Sequence, residues 1–156
     1  MMLISHRGNL NGKLPDRENS PKYIQEALDA GYSVEVDLWV SPRSLHGEYP
    51  ILCLGHDNPQ YKVTLEWLQE RQNYLWIHCK NREALEFCLG KKLHCFWHDT
   101  DDYTMTSNGY VWAYPGKLRA GMFTILVMPE LHWSVEEIRN QRCFGVCSDI
   151  VAQLKA

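Results

Sequence analysis

Apolar positions along the chain switch repeatedly between a spacing of two and a spacing of three to four. Met2 to Ser5 reads as a short strand ending at His6. After a polar loop, Ser20-Pro21 supplies an N-cap followed by a proline at the first helical position. Tyr23, Ile24, Ala27 and Leu28 then recur at helical spacing until Gly31 stops the helix. From Val34 to Val40 the period is two: Val34, Val36, Leu38 and Val40 share one face, and Glu35, Asp37 and Trp39 share the other. Ile51 to Leu54 is a further strand closing on Gly55-His56-Asp57, and Thr64 caps a helix through Leu65, Trp67 and Leu68. Tyr74 to Cys79 is the next strand, and Asn81 caps a helix that ends at Gly90. Leu93 to Trp97 is a strand, and Asn108-Gly109 turns the chain into Tyr110 to Tyr114. Phe123 to Met128 and Cys143 to Cys147 are the last two strands. Between them, Ser134 and Glu137 form a capping box for a helix over Val135 to Asn140. A short helix over Ile150 to Leu154 follows. This repeated strand–helix order predicts parallel strands and an α/β fold.

Composition narrows the class. A chain of 156 residues has room for one domain, 1–156, with a real core. Hydrophobic content of 45% with 22% charged residues excludes a disordered chain. A net charge of -3 speaks against a nucleic-acid partner, which would need a basic excess or stripe. No apolar run approaches the about 20 residues of a membrane span, and the first charge comes too early for a signal peptide. A cytoplasmic protein with reduced thiols is expected. The six cysteines form no paired C-x-x-C units and lie mostly in apolar runs, where a thiol packs as a small hydrophobe.

Four polar clusters fall at or just inside strand ends, where the loops of α/β folds gather ligands. His6-Arg7-Gly8 joins a proton carrier to a bidentate anion clamp. Glu35 and Asp37 lie two apart on a strand, so their carboxylates share a face a few ångströms apart. Facing inward they would repel unless a cation sat between them, and a divalent metal with oxygen ligands suits that place. Facing outward they would mark the solvent side of an edge strand. His56-Asp57 adds a second imidazole with a neighbour to fix its tautomer, and His78-x-Lys80 adds a third beside a cation. No Gly-x-Gly-x-x-Gly follows the first strand, which counts against a dinucleotide-binding domain.

The order and placement of these clusters resemble the glycerophosphodiester phosphodiesterase family, within the phospholipase-C-like phosphodiesterases. The stretches that carry the resemblance are Ile4-Ser5-His6-Arg7-Gly8, Arg17-Glu18-Asn19-Ser20, Val34-Glu35-Val36-Asp37-Leu38 and Leu54-Gly55-His56-Asp57. Trp76-Ile77-His78-Cys79-Lys80 matches more weakly, and Phe144-Gly145-Val146-Cys147-Ser148-Asp149 looks like the family's closing strand. The resemblance implies His6 and His56 as the acid–base pair and Arg7 and Lys80 on the substrate phosphate. It further implies Glu35 and Asp37 as ligands of a divalent metal, Mg or Ca, with Glu18 and Asn19 at the rim of the site. His78 stands where the family carries a third metal carboxylate, so a softer metal, weaker binding or lost activity follows from that exchange. The implied fold is a (β/α)₈ TIM-type barrel. At this length it would have to be compressed or incomplete, with shortened or missing helices in the second half. The implied function is metal-dependent hydrolysis of a small phosphodiester, and the alternative is an inactive barrel that binds phosphate esters.

Overall fold

The computed structural model describes residues 1–42, 50–115, 117 and 119–155. Among these the strands are β1 (Met2–His6), β2 (Ser33–Val40), β3 (Leu52–Leu54), β4 (Tyr61–Val63), β5 (Leu75–Cys79), β6 (Cys95–Phe96), β7 (Tyr103–Met105), β8 (Val111–Ala113), β9 (Thr124–Val127) and β10 (Gly145–Ser148). The helices are α1 (Pro21–Asp29), α2 (Leu65–Glu70), α3 (Arg82–Gly90), α4 (Val135–Arg139) and α5 (Val151–Leu154), with a 3₁₀ turn at Pro129–Leu131. Their starts follow the predicted caps. Ser20, Thr64, Asn81 and Ser134 each accept a hydrogen bond from the backbone N–H three residues on, and Glu137 completes the capping box.

All ten strands belong to one mixed sheet that curls into a half-barrel. Seven run parallel, in the order β6-β5-β2-β1-β10-β9-β8. The other three are antiparallel: β3 and β4 as a hairpin on the far end of β2, and β7 on the outer edge of β8. The expected compressed (β/α)₈ barrel is therefore corrected. Fewer than a dozen residues separate Val40 from Leu52, too few for the crossover a parallel pair requires, and β3 folds back along β2. The Asn108-Gly109 turn likewise pairs β8 with β7, a strand whose period-two pattern is too short to stand out. No described helix separates β8 from β9, so the second half lacks the cover a TIM barrel would have.

Alternation along the strands sorts side chains into two layers. Val34, Val36, Leu38, Leu75, Ile77 and Cys79 point outward and pack with Ile24, Ala27, Ala84 and Cys88 of α1 and α3. Leu126 and Val146 do the same against Ile138 and Leu154 of α4 and α5. Inside the curve, Ile4, Trp76, Phe96, Trp112, Ile125, Val127 and Cys147 form a second cluster, the floor on which the polar strand ends stand. Each fully buried Leu or Ile here contributes roughly 1.5–3 kcal/mol relative to exposure.

Candidate active site

Strand register alone gathers the site. His6 on β1 pairs with Glu35 on β2, and Asp37 pairs with His78 on β5, all on the inner face above the aromatic floor. Behind β1 the backbone turns through Arg7 (φ 55°) and Gly8 (φ 95°), and Asn19 (φ 62°) answers from the following loop. Left-handed conformations at Arg and Asn are unusual, and here the Asn19 N–H donates to the Arg7 carbonyl while the Arg7 N–H donates to that of Glu35. A Cβ at Gly8 would meet the Tyr23 ring at 2.7 Å, so glycine is required there. Gly55 (φ 151°) lets β3 turn into His56, held by its own N–H on the Asp37 carbonyl and by the Trp39 indole N–H on its carbonyl.

Asp37 is the hub. Its Oδ2 accepts from Asn19 at 2.8 Å and lies 2.9 Å from Arg7 Nε. Its Oδ1 lies 3.0 Å from His78 Nδ1 and 3.6 Å from Lys80 Nζ. Burial opposes its charge, but the contact with His78 and the guanidinium of Arg7 outweigh that and hold the carboxyl well below the usual range. Glu35, one pleat away, has the opposite fate: burial, then repulsion by Asp37, raises its pKa. Arg7 Nη1 also donates to Glu18, which accepts a second bond from Asn9. Glu18 and Asn19 thus lie buried behind the site, bracing Arg7 and Asp37, rather than at its rim as expected.

The histidines are oriented by carboxylates. His6 Nδ1 meets Asp149 Oδ1 at 2.7 Å, and its Nε2 lies 3.9 Å from Glu35. Burial works against its protonation, yet the hydrogen bond to Asp149 and the charge of Glu35 prevail and its pKa is raised. His56 Nδ1 meets Asp57 Oδ1 at 2.7 Å, and burial together with Arg7 lowers its pKa. His78 Nε2 faces the carbonyl of His98 at 3.3 Å, and a carbonyl only accepts, so this nitrogen carries a proton. Its Nδ1, aimed at Asp37 and Glu35, then either holds a second proton or offers its lone pair to a cation.

His6, Arg7, Glu35, His56, His78 and Lys80 line one cavity of about 220 Å³. The other lining side chains are His98, Asp99, Trp112, Tyr114 and Val127. Every residue expected at the site is therefore either on this cavity or, for Asp37, Glu18 and Asn19, directly behind it. Asn9, His98 and Tyr114 carried no signal in the sequence, and Asp149 stood in the closing-strand match without a role. His98 stacks on His78 at 4.8 Å, and burial with repulsion from His78 lowers its pKa to about 4. Asp149 follows directly on β10, parallel to β1, and its pairing with His6 is not visible in one dimension.

Glu35, Asp37 and His78 place a ligand atom each within 4.8 Å of one another. Glu35 Oε2 and Asp37 Oδ1 are buried without a hydrogen bond of good geometry, which is costly unless something else satisfies them. Two carboxylate oxygens and an imidazole whose far N–H is fixed by a carbonyl make a donor set that fits a divalent cation. Comparison of the chain with protein-family models, curated proteins and solved structures gave no match. No described helix is long and apolar enough to cross a membrane.

Proposed function

We propose that the chain is a metal-dependent phosphodiesterase hydrolysing a small glycerophosphodiester or related phosphodiester. The observation that supports this most is the pair His6 and His56. Each ring is tied through Nδ1 to an aspartate at 2.7 Å, which leaves both Nε2 atoms for a ligand in the same cavity as Arg7 and Lys80. Such a pair can take a proton from an attacking oxygen and return one to a leaving oxygen. Arg7 and Lys80 orient and neutralise the phosphate. Glu35, Asp37 and His78 would hold the divalent ion, whose chemistry when bound is to draw charge off the phosphoryl oxygens. The cavity is below the usual ligand-pocket range of roughly 300–1,000 Å³, which suits a phosphate bearing a short alcohol.

The test is ³¹P NMR of pure protein with glycerophosphocholine, glycerophosphoethanolamine and glycerophosphoglycerol, each with Mg²⁺, Ca²⁺, Mn²⁺ or Zn²⁺. A phosphomonoester signal is expected with at least one ion, reduced about 10²-fold or more in His6→Ala and in His56→Ala. No product with any ion, or full turnover by His56→Ala, rejects this reading. His78 in place of a carboxylate favours a second reading, a domain that binds phosphate esters without cleaving them. Broadening of the diester signal that persists in EDTA, with no product, is its signature.

A further inference from the structure

On the opposite face of β5 from His78, a second three-residue cluster is assembled. Cys79 ends β5, Cys88 lies in α3 and Cys95 begins β6. Their sulfur atoms all lie within 4.8 Å of one another, and the residues are 1%, 0% and 1% exposed. They sit in the outer apolar layer with Val36, Leu38, Ala84 and Leu93. No His, Asp or Glu joins them among the described residues. Lys80, next in sequence to Cys79, points the other way, with its ammonium 3.6 Å from Asp37.

We propose that Cys79, Cys88 and Cys95 form a binding site for a trivalent thiophilic metalloid, of the arsenite or antimonite class, held as a neutral tris-thiolate. Ligand number and charge decide the class. Structural zinc takes four ligands in a tetrahedron, and only three are present. A divalent ion on three thiolates leaves one net negative charge, and a monovalent ion leaves two. Either would stand in an apolar layer with no cation of the cluster's own, which is severely unfavourable. A trivalent centre with three thiolates is neutral, and sulfur ligands suit a soft centre. The exchange balances without oxidation or reduction: As(OH)₃ and three thiols give As(SR)₃ and three waters. Three As–O bonds break and three As–S bonds form, and each departing hydroxide takes the proton of one thiol.

Two consequences follow from the position of the site. Access requires α3 to lift from the sheet, so binding is slow and speeds up under mild denaturant. Once bound, the centre ties α3 to β5 and β6, and the folded state is stabilised by an amount that grows with the logarithm of ligand concentration. Neither consequence depends on the phosphodiesterase reading, because no residue of the cluster lines that cavity.

The experiment is native mass spectrometry of the reduced full chain with arsenite, combined with X-ray absorption at the arsenic edge. One arsenic per chain with three sulfur neighbours and no oxygen is expected. Cys88→Ala and Cys95→Ala should each weaken binding at least about tenfold, or 1.4 kcal/mol. Cys53→Ala and Cys143→Ala should leave it unchanged. Should the alanine variants fail to fold, iodoacetamide labelling of the wild-type chain in denaturant, with and without arsenite, decides the same point: arsenite must protect Cys79, Cys88 and Cys95 and leave the equally buried Cys147 unprotected. Absence of binding, an oxygen in the coordination shell, unaltered affinity in Cys88→Ala, or zinc held more tightly than arsenite by the same three sulfurs overturns the proposal.

Discussion

His78 and Cys79 are adjacent in sequence, yet they belong to two triads with opposite characters. On the inner face Glu35, Asp37 and His78 converge in a polar setting, with Arg7 and Lys80 already in contact with Asp37. On the outer face Cys79, Cys88 and Cys95 converge among aliphatic side chains. One peptide bond and the alternation of a strand separate them. The comparison teaches that three converging ligands do not by themselves choose an ion. The inner triad tolerates net charge because cations and hydrogen-bond donors surround it, so a hard divalent ion fits. The outer triad tolerates none, so only a neutral adduct fits.

The sharpest way to break this comparison is to remove the inner hub. Asp37→Asn keeps the shape and the contact with Asn19 but leaves Arg7 and Lys80 facing an uncharged amide. Losing one partner of a buried charged network costs about 3–5 kcal/mol, and urea unfolding monitored by tryptophan fluorescence should show that loss. A cost under about 1 kcal/mol would mean that the inner face is wet and that its charges are not coupled as the distances imply.

A smaller effect tests how hard the inner triad is. His78→Glu adds a third carboxylate, and Mg²⁺ or Ca²⁺ should bind at least about tenfold more tightly by calorimetry. Unchanged or weaker binding would show that the His78 nitrogen does not occupy a ligand position.

Much of this was legible in one dimension, and the exceptions have physical causes. The period-two run Val34 to Val40 put Glu35 and Asp37 on one face opposite the aliphatic side chains, and side-chain caps marked the starts of α1, α2, α3 and α4. The direction of β3 was not legible. Ile51 to Leu54 is as apolar as a parallel core strand, and only its short connection to β2 decides that it returns antiparallel. The thiol triad was missed because Cys79, Cys88 and Cys95 are spaced nine and seven apart, on a strand, a helix and a strand. No local motif announces a contact made by tertiary packing. Asp149 stood in the closing-strand match, but its role did not: its partner His6 lies at the far end of the chain and meets it only because β10 pairs with β1.

The smallest expected effect concerns the aromatic floor between the two triads, where His94 belongs to neither. Its Nε2 lies 2.9 Å from Thr106 Oγ1 and its ring centroid 4.3 Å from that of Trp76. Thr106 Oγ1 already accepts from the Tyr110 N–H, so its own hydrogen is free to donate to a neutral His94. Burial lowers the pKa of His94 to about 4. Between that value and the unfolded reference of about 6.5, the unfolded chain binds a proton that the folded chain refuses. Stability therefore rises with pH across this window and is lost as pH falls from about 6.5 towards 4. His98, also lowered to about 4, contributes with the same sign. Glutamine at position 94 keeps an acceptor for Thr106 but does not titrate. Urea midpoints of wild type and His94→Gln should thus converge as pH drops through the window, with the variant's slope shallower but not flat. Parallel slopes would place His94 in contact with water, and the floor would then be no barrier between the charged triad above it and the apolar layer behind.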